Sequence, residues 1–232
     1  VFTKNKITGT DYGIGGVIGS LSGGVSILNS KFNSNIVNGT NTAGAAAIYI
    51  ETAVLEINNS EIKSNKVISK EAYGGAIYGF KAFITMTNNT ISYNMLNTSV
   101  NGFGGALYTF EGRLTINNTT FQNNTVRSKE MALAGVLYSN SNVTITNSNL
   151  INNNINASEL GGGAIANMGN LTVSHCNFIN NYAYDAGNAI TSTDTATNVI
   201  EDNYWNSTSP EWDKLLNGLS NPNSYSRTRF TN

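Results

Sequence analysis

Apolar residues recur along this chain in short alternating runs, and Gly, Asn, Ser and Thr separate the runs. Such runs are too short for helices, and a period of two is typical of β-strands. One pattern stands out, in which a large apolar residue precedes an asparagine by three positions. The pairs are Phe2/Asn5, Phe32/Asn35, Ile62/Asn65, Ile91/Asn94, Phe121/Asn124, Leu150/Asn153 and Phe178/Asn181. Successive pairs lie 28 to 30 residues apart, which indicates a repeat architecture.

Two further elements keep the same period. The first is a run of small residues that ends in an aliphatic one, at Ile18, Ile48, Ile77, Leu107, Leu137, Ile165 and Ile190. The second is an alternating segment, at 25–27, 55–57, 84–86, 114–116, 143–145 and 171–173. Three short strands per repeat predict an all-β fold, a right-handed parallel β-helix (solenoid) of about seven coils. Each strand would pair with its counterpart about 4.8 Å away in the next coil.

Asparagine is unusually frequent, at 39 of 232 residues. One set precedes the third-strand apolar residue by three positions: Asn29, Asn59, Asn88, Asn118, Asn147 and then His175. Asparagine tolerates the left-handed backbone of a sharp corner, and stacked amides can hydrogen-bond along the axis. We expect the column from Asn5 to Asn181 to do the same at the next corner, and the glycine pairs to turn the chain before the first strand.

Composition excludes several partners. Only 12% of residues are charged and the net charge is −1, so nothing favours binding to nucleic acid or to an anionic membrane. A single cysteine excludes an internal disulfide. No run approaches 18 apolar residues, so we expect no membrane insertion.

The repeats are predicted to occupy residues 1–203, and a C-terminal cap and tail residues 204–232. Within the tail, 210–218 is predicted as a short helix with Ser209 as N-cap and Gly218 as its stop. Tyr204, Trp205, Trp212, Leu215 and Leu216 are expected to cover the last coil, because open strand edges need a cover. The chain begins within a repeat, and we expect it to be a piece of a longer protein.

The repeat motifs resemble those of known surface proteins. The pairing of Gly-Gly-Ala-Ile/Leu with Phe-x-x-Asn is similar to the repeat of chlamydial polymorphic outer membrane proteins. Gly74–Tyr78 and Leu114–Phe121 are closer to adhesin-like surface proteins of methanogenic archaea. The segment 203–207 is similar to the Asn-Trp-Trp-Gly closure of those proteins, with Tyr204 and Asn206 as departures. The resemblance covers residues 1 to about 218, implies a cell-surface adhesin, and carries no catalytic residues.

Catalysis is the first alternative, because some β-helices cleave polysaccharides with paired carboxylates or with calcium and a base. The aspartates are few and scattered, at Asp11, Asp185, Asp194, Asp202 and Asp213. His175 and Cys176 lack further ligands for a zinc site and occupy repeat positions that Asn and small polar residues fill elsewhere. No glycine run matches a phosphate loop. We therefore expect no catalytic residue, metal or cofactor.

Binding candidates lie on the outside of the predicted coils. Tyr49, Tyr78, Tyr108 and Tyr138 each follow an inward aliphatic residue and would form an outward ridge for sugar rings, or simply pack on one another. Regular threonines, such as Thr85, Thr115, Thr144 and Thr172, allow an ice-binding alternative. Variable loops at 67–73 and 126–133 are expected to stack along one edge and could bind partners. Of eleven glycosylation sequons, those at Asn97 and Asn156 are the candidates for exposed, modified sites.

These observations favour a non-enzymatic, extracellular adhesin module, monomeric, that binds surface glycan or protein of another cell. The alternatives are a carbohydrate-active lyase or hydrolase of the same fold, and a passive spacer.

Overall fold

A computed structural model describes residues 1–157, 162–184, 187–193 and 196–231. As predicted, this part of the chain is nearly all β, and it winds into a right-handed parallel β-helix of about seven turns. All strand pairs in it are parallel and join one coil to the next. Its only helix is Trp212–Leu215, and none of its helices is long and apolar enough to span a membrane.

The first sheet follows the glycine pair in each coil. It combines two of the three predicted segments, the one that begins at the aliphatic residue after the small-residue run and the alternating one. It contains Ile18–Ser20, Gly23–Leu28, Ile48–Glu51, Ala53–Asn58, Ile77–Phe80, Phe83–Thr87, Leu107–Asn117, Leu137–Thr146, Ile165–Asn167, Leu171–Ser174, Ile190–Ser192, Asn198–Glu201 and Leu216–Asn217. In two coils the two segments fuse into one long strand.

The second sheet is the predicted third segment. It contains Phe2–Thr3, Lys31–Asn33, Glu61–Lys63, Thr90–Ser92, Thr120–Gln122, Asn149–Ile151, Asn177–Ile179, Asn203–Tyr204 and Tyr225–Ser226. The predicted register is confirmed, because Phe32 pairs with Phe2 and Ile62, and the series continues to Phe178. From Phe32 to Phe178 this column is buried in the main core.

The third sheet corrects the loop prediction. It contains Lys6–Gly9, Tyr12–Ile14, Ile36–Gly39, Thr42–Gly44, Lys66–Tyr73, Met95–Phe103, Thr125–Arg127, Met131–Leu133 and Asn154–Asn156. The two segments predicted as loops are thus mostly strand. Their inward residues, such as Val67, Ala72 and Ala132, form a second, smaller core. This core combines one column of larger aliphatic residues, such as Val67 and Leu96, with several alanines, and their weak alternation among polar neighbours does not mark a strand in the sequence.

Asparagine occurs at both corners of the second sheet, but it has a different role at each, which was not predicted. At the first corner Asn29, Asn59, Asn88, Asn118, Asn147 and His175 have the expected left-handed backbone. Their side chains are exposed, and the buried ladder runs through the next residue, as where the Ser30 N–H donates to Ser60 Oγ at 3.0 Å. At the second corner the predicted ladder from Asn5 to Asn181 is confirmed. The left-handed residue there is the one before each ladder asparagine, such as Ser64 or Tyr93.

The C-terminal end covers the last coil, largely with the expected residues. Trp205 stacks on Phe178 at 4.7 Å between ring centroids, and Trp212 meets Trp205 edge-on. The predicted helix over 210–218 is wrong in extent, because only four residues are helical and Leu216 begins a strand that pairs with Ile190. Pairing with the open sheet edge outweighs helix propensity for this segment. The Ser209 N-cap is also wrong, since Glu211 stands at the cap position without a side-chain cap bond.

Candidate functional site

The four predicted tyrosines form a column on the outer surface of the first sheet. Tyr49, Tyr78, Tyr108 and Tyr138 pair in register from coil to coil. Each follows a fully buried aliphatic residue such as Ile77, so strand alternation turns the tyrosine outward. The scaffold therefore fixes the spacing of these rings.

The column is not a flat ridge, because the rings interlock. Tyr49 meets Tyr78 edge-on with centroids 5.2 Å apart, and Tyr78 meets Tyr108 edge-on at 4.8 Å. Tyr108 and Tyr138 are stacked at 5.4 Å with an interplanar angle of 8°. Edge-to-face and stacked pairs of this kind contribute about 0.5–1.5 kcal/mol beyond the area they bury.

Two rings from the third sheet complete what we call the aromatic cluster, formed by Tyr49, Tyr73, Tyr78, Phe103, Tyr108 and Tyr138. Tyr73 packs edge-on against Tyr108 at 5.0 Å, and Phe103 lies 5.1 Å from Tyr138. They reach the column because the chain turns sharply between the sheets at Gly74 and Gly104, whose φ angles are +59° and +74°.

Sequence reasoning missed Tyr73 and Phe103. The sequence does contain a signal for them, because the residue before each small-residue run recurs with the same thirty-residue period and so forms a column. It carries Ile14, Gly44, Tyr73, Phe103 and Leu133. That column was assigned to a loop, so its contact with the first sheet could not be inferred.

Exposure within the cluster is partial. Tyr108 is only 9% exposed, because rings surround it, whereas Tyr49, Tyr78 and Tyr138 are half-buried. Within the described part of the chain, the hydroxyl groups of Tyr78, Tyr108 and Tyr138 donate no hydrogen bond. These hydroxyls are therefore available as hydrogen-bond donors to a ligand.

Burial further favours the neutral form of the phenols. Burial, reinforced by the Glu71 carboxylate, raises the pKa of Tyr73 to about 12. Burial also raises the pKa of Tyr49, where the hydroxyl donates to a Glu51 carboxylate oxygen at 2.6 Å, and that of Tyr78. The pKa values of Tyr108 and Tyr138 are raised by the same loss of solvent. The cluster thus presents uncharged rings and intact O–H donors around neutral pH.

Two carboxylates adjoin the cluster and were also missed in the sequence. Glu51 accepts the hydrogen bond from Tyr49, and Glu71 accepts bonds from the Tyr73 hydroxyl at 3.4 Å and the Asn101 amide at 3.3 Å. Glu51 lies two positions after a column tyrosine and Glu71 two before a cluster tyrosine. A search for acids facing the ridge would have found Glu51, whereas Glu71 lies in a segment predicted as a loop.

The threonine positions form a second ordered surface on the first sheet. Thr85, Thr115, Thr144 and Thr172 pair in register, as the repeat predicts. In the neighbouring column, the Thr146 hydroxyl donates to the Asn117 side-chain oxygen at 3.1 Å. Part of this surface thus satisfies its hydrogen bonds internally, so it is the weaker binding candidate.

The two glycosylation candidates lie on third-sheet strands. Asn97, in Met95–Phe103, and Asn156, in Asn154–Asn156, both have exposed side chains. The hydroxyl residue of the second sequon, Ser158, lies outside the described residues. Modification at either site stays a prediction.

The remaining reactive groups lie apart from the cluster. Cys176 is fully buried, burial raises the pKa of its thiol to about 12, and its N–H donates to Asn203 Oδ1 at 2.9 Å, so it serves as a ladder position. His175 has the left-handed backbone of its column. In the described ranges, no three His, Cys, Asp or Glu side chains are grouped as metal ligands. Asp185 and Asp194 lie outside those ranges.

The stacked coils and buried ladders define a parallel β-helix repeat protein. Comparison with protein families agrees, because residues 15–205 match the family described as the right handed beta helix region. The match covers most of the chain, which therefore belongs to that family. Neither the curated proteins nor the solved structures provide a significant match. The family fits surface or carbohydrate-related proteins.

Proposed function

We propose that the chain is a non-catalytic adhesin module that acts at the cell surface, outside the cell. It binds glycan or protein on a partner cell as a monomer, and the aromatic cluster makes the contact. The observation that carries this proposal is a set of rings whose spacing is set by paired strands and in which the hydroxyls of Tyr78, Tyr108 and Tyr138 make no hydrogen bond within the described residues. The resemblance to adhesin-like repeats supports the same class.

The cluster suits a sugar ligand for two physical reasons. Aromatic rings offer apolar surface to the C–H faces of sugars, and free phenol hydroxyls offer hydrogen bonds to sugar hydroxyls. The rings also support one another, as Tyr73, Tyr78 and Tyr138 all contact Tyr108. A ligand would therefore meet a preorganised surface, and the protein's side chains would lose little conformational entropy when the ligand binds.

The test is glycan-array and whole-cell binding with variants that separate binding from folding. Replacing Tyr108 by alanine would leave a cavity among the three rings that contact it, so loss of binding there would be ambiguous. The informative variant is Tyr78→Phe with Tyr138→Phe, which keeps the rings and removes two hydroxyls. Its matched control is Tyr93→Phe with Tyr182→Phe, because both of those tyrosines are exposed and lie outside the cluster.

We expect the cluster variant to bind about tenfold more weakly, while the control binds like the wild type. Equal binding by both variants would show that the hydroxyls do not contact the ligand. Absence of binding to every glycan and cell surface would favour a spacer. Release of unsaturated or reducing ends from pectin, alginate or other uronate polymers, lost on substitution of a single acid, would favour an enzyme.

A further inference from the structure

The two glutamates beside the aromatic cluster carry negative charge that the chain does not pair. Three other glutamates lie within 4 Å of a lysine ammonium: Glu61 near Lys31 at 3.9 Å, Glu111 near Lys81 at 3.5 Å, and Glu211 near Lys214 at 2.6 Å. In the described residues neither Glu51 nor Glu71 has such a partner. Their hydrogen-bond donors are neutral phenols and an amide.

Two lysines that lie close to these glutamates in the sequence or in the strand register are engaged elsewhere. Lys70 precedes Glu71, but its ammonium donates to the Asn41 side-chain oxygen at 3.0 Å. Lys81 lies one residue beyond Phe80, the strand partner of Glu51, and pairs with Glu111. The aromatic cluster itself contains no cationic residue. This part of the surface therefore has a local excess of negative charge in a molecule that is nearly neutral overall.

Rings and carboxylates together favour an ammonium group. A cation is attracted to the face of an aromatic ring, and the attraction grows as the site is shielded from water. The molecule already uses this contact, since the Lys81 ammonium lies 5.3 Å from the centre of the Phe80 ring and the Lys63 ammonium lies 5.7 Å from the centre of the Tyr93 ring. Neutral phenols add no competing negative charge, so the two carboxylates set the charge preference.

We infer that the cluster selects glycans that carry free, protonated amino groups, with the sugar against the tyrosines and its ammonium beside Glu51 or Glu71. This inference rests on the proposed function and narrows its ligand class. A glycan is favoured over a basic protein segment because three free phenol hydroxyls accompany the charge, and a column repeated over four coils matches a polymer of repeating units. Removing the charge by acetylation should remove the preference.

The experiment compares a glucosamine oligosaccharide with its fully N-acetylated counterpart of the same length, by titration calorimetry at low salt and at about pH 5.5, where the sugar amines are protonated. Wild-type protein should bind the free amine about tenfold more tightly. Glu51→Gln with Glu71→Gln should reduce the difference to about twofold, because glutamine keeps the size and the acceptor oxygen but not the charge. Glu56→Gln is the matched control, an exposed glutamate on the same sheet away from the cluster.

Equal affinity for the two oligosaccharides, or an amine preference unchanged in the double glutamine variant, would overturn the inference. In either case, the proposed function would still stand if Tyr78→Phe with Tyr138→Phe weakened binding of the acetylated sugar. A lysine homopolymer serves as a third ligand. If it binds through Glu51 and Glu71 while the amino sugar does not, the ligand is a basic protein and the glycan assignment is wrong.

Discussion

The asparagine ladder at the second corner should contribute a large part of the free energy of unfolding. Substitution of one ladder member, Asn94, tests this prediction. Its side chain is fully buried and makes four hydrogen bonds. The oxygen accepts from the N–H and the amide of Asn65 at 3.0 and 2.9 Å, and the amide donates to Ile62 O and Asn124 Oδ1, both at 3.0 Å. At about 1 kcal/mol net for each bond, Asn94→Ala should lower the free energy of unfolding by about 4 kcal/mol.

The assay is urea unfolding followed by circular dichroism and by the fluorescence of the two tryptophans, since a repeat protein can unfold in parts. Asn97→Ala is the matched control, because Asn97 is exposed three residues away on the adjoining strand, and it should change stability by less than about 0.5 kcal/mol. If Asn94→Ala lowered the free energy of unfolding by less than about 1 kcal/mol, the idea that the ladder amides stabilise the fold would be refuted.

Three further predictions concern backbone, thiol and phenols. Asn59→Gly should leave stability nearly unchanged while Asn59→Val costs about 1–2 kcal/mol by urea unfolding, because φ there is +52°; equal effects would contradict the corner assignment. Cys176 should resist a thiol reagent in native protein and react after unfolding, because the thiol is buried with a pKa near 12; rapid native labelling would contradict the burial. In a spectrophotometric titration, the five cluster tyrosines should ionise above the ordinary tyrosine value of about 10. Their raised folded-state pKa values make the folded state lose stability as the pH rises above about 10, the ordinary value; a single tyrosine transition near pH 10 without loss of stability would contradict it.

The sequence predicted the winding, the register and the core columns because these depend on residues that recur. Phe32, Ile62 and Ile91 keep their spacing and their size, so their alignment follows from the repeat alone. The third sheet was not predicted, because its inward apolar residues are sparse and several of them are alanine. Ala43 and Ala72 pair in register, yet alanine in a polar neighbourhood gives no clear alternation.

The corners show a subtler limit. A recurring asparagine at a turn can serve its own backbone or stack on its neighbours, and the sequence does not distinguish these roles. Asn59 has a left-handed backbone and an exposed side chain, whereas Asn65 is a buried ladder member that follows the left-handed Ser64. The difference lies in which way the side chain points, and this is fixed only when the coil closes.

The candidate site was half predictable for a related reason. The tyrosine column follows from alternation within one sheet, but Tyr73 and Phe103 join it from another sheet across a sharp turn. Contacts across a corner depend on how the two sheets meet. Glu51 and Glu71 escaped notice because neither belongs to a repeating column of acids.

The aromatic cluster is separable from the fold that carries it. The outward column that holds the tyrosines also contains Gly19 before Tyr49 and Ala166 after Tyr138, in the same strand register. The inward neighbours of both, Ile18 and Ile165, match those of the tyrosines, so coil stacking does not require a ring at this position. The tyrosines of this column occur in only four successive coils and are therefore not needed for coil stacking. Substitution of these tyrosines by phenylalanine should alter ligand binding while the stacked core remains intact.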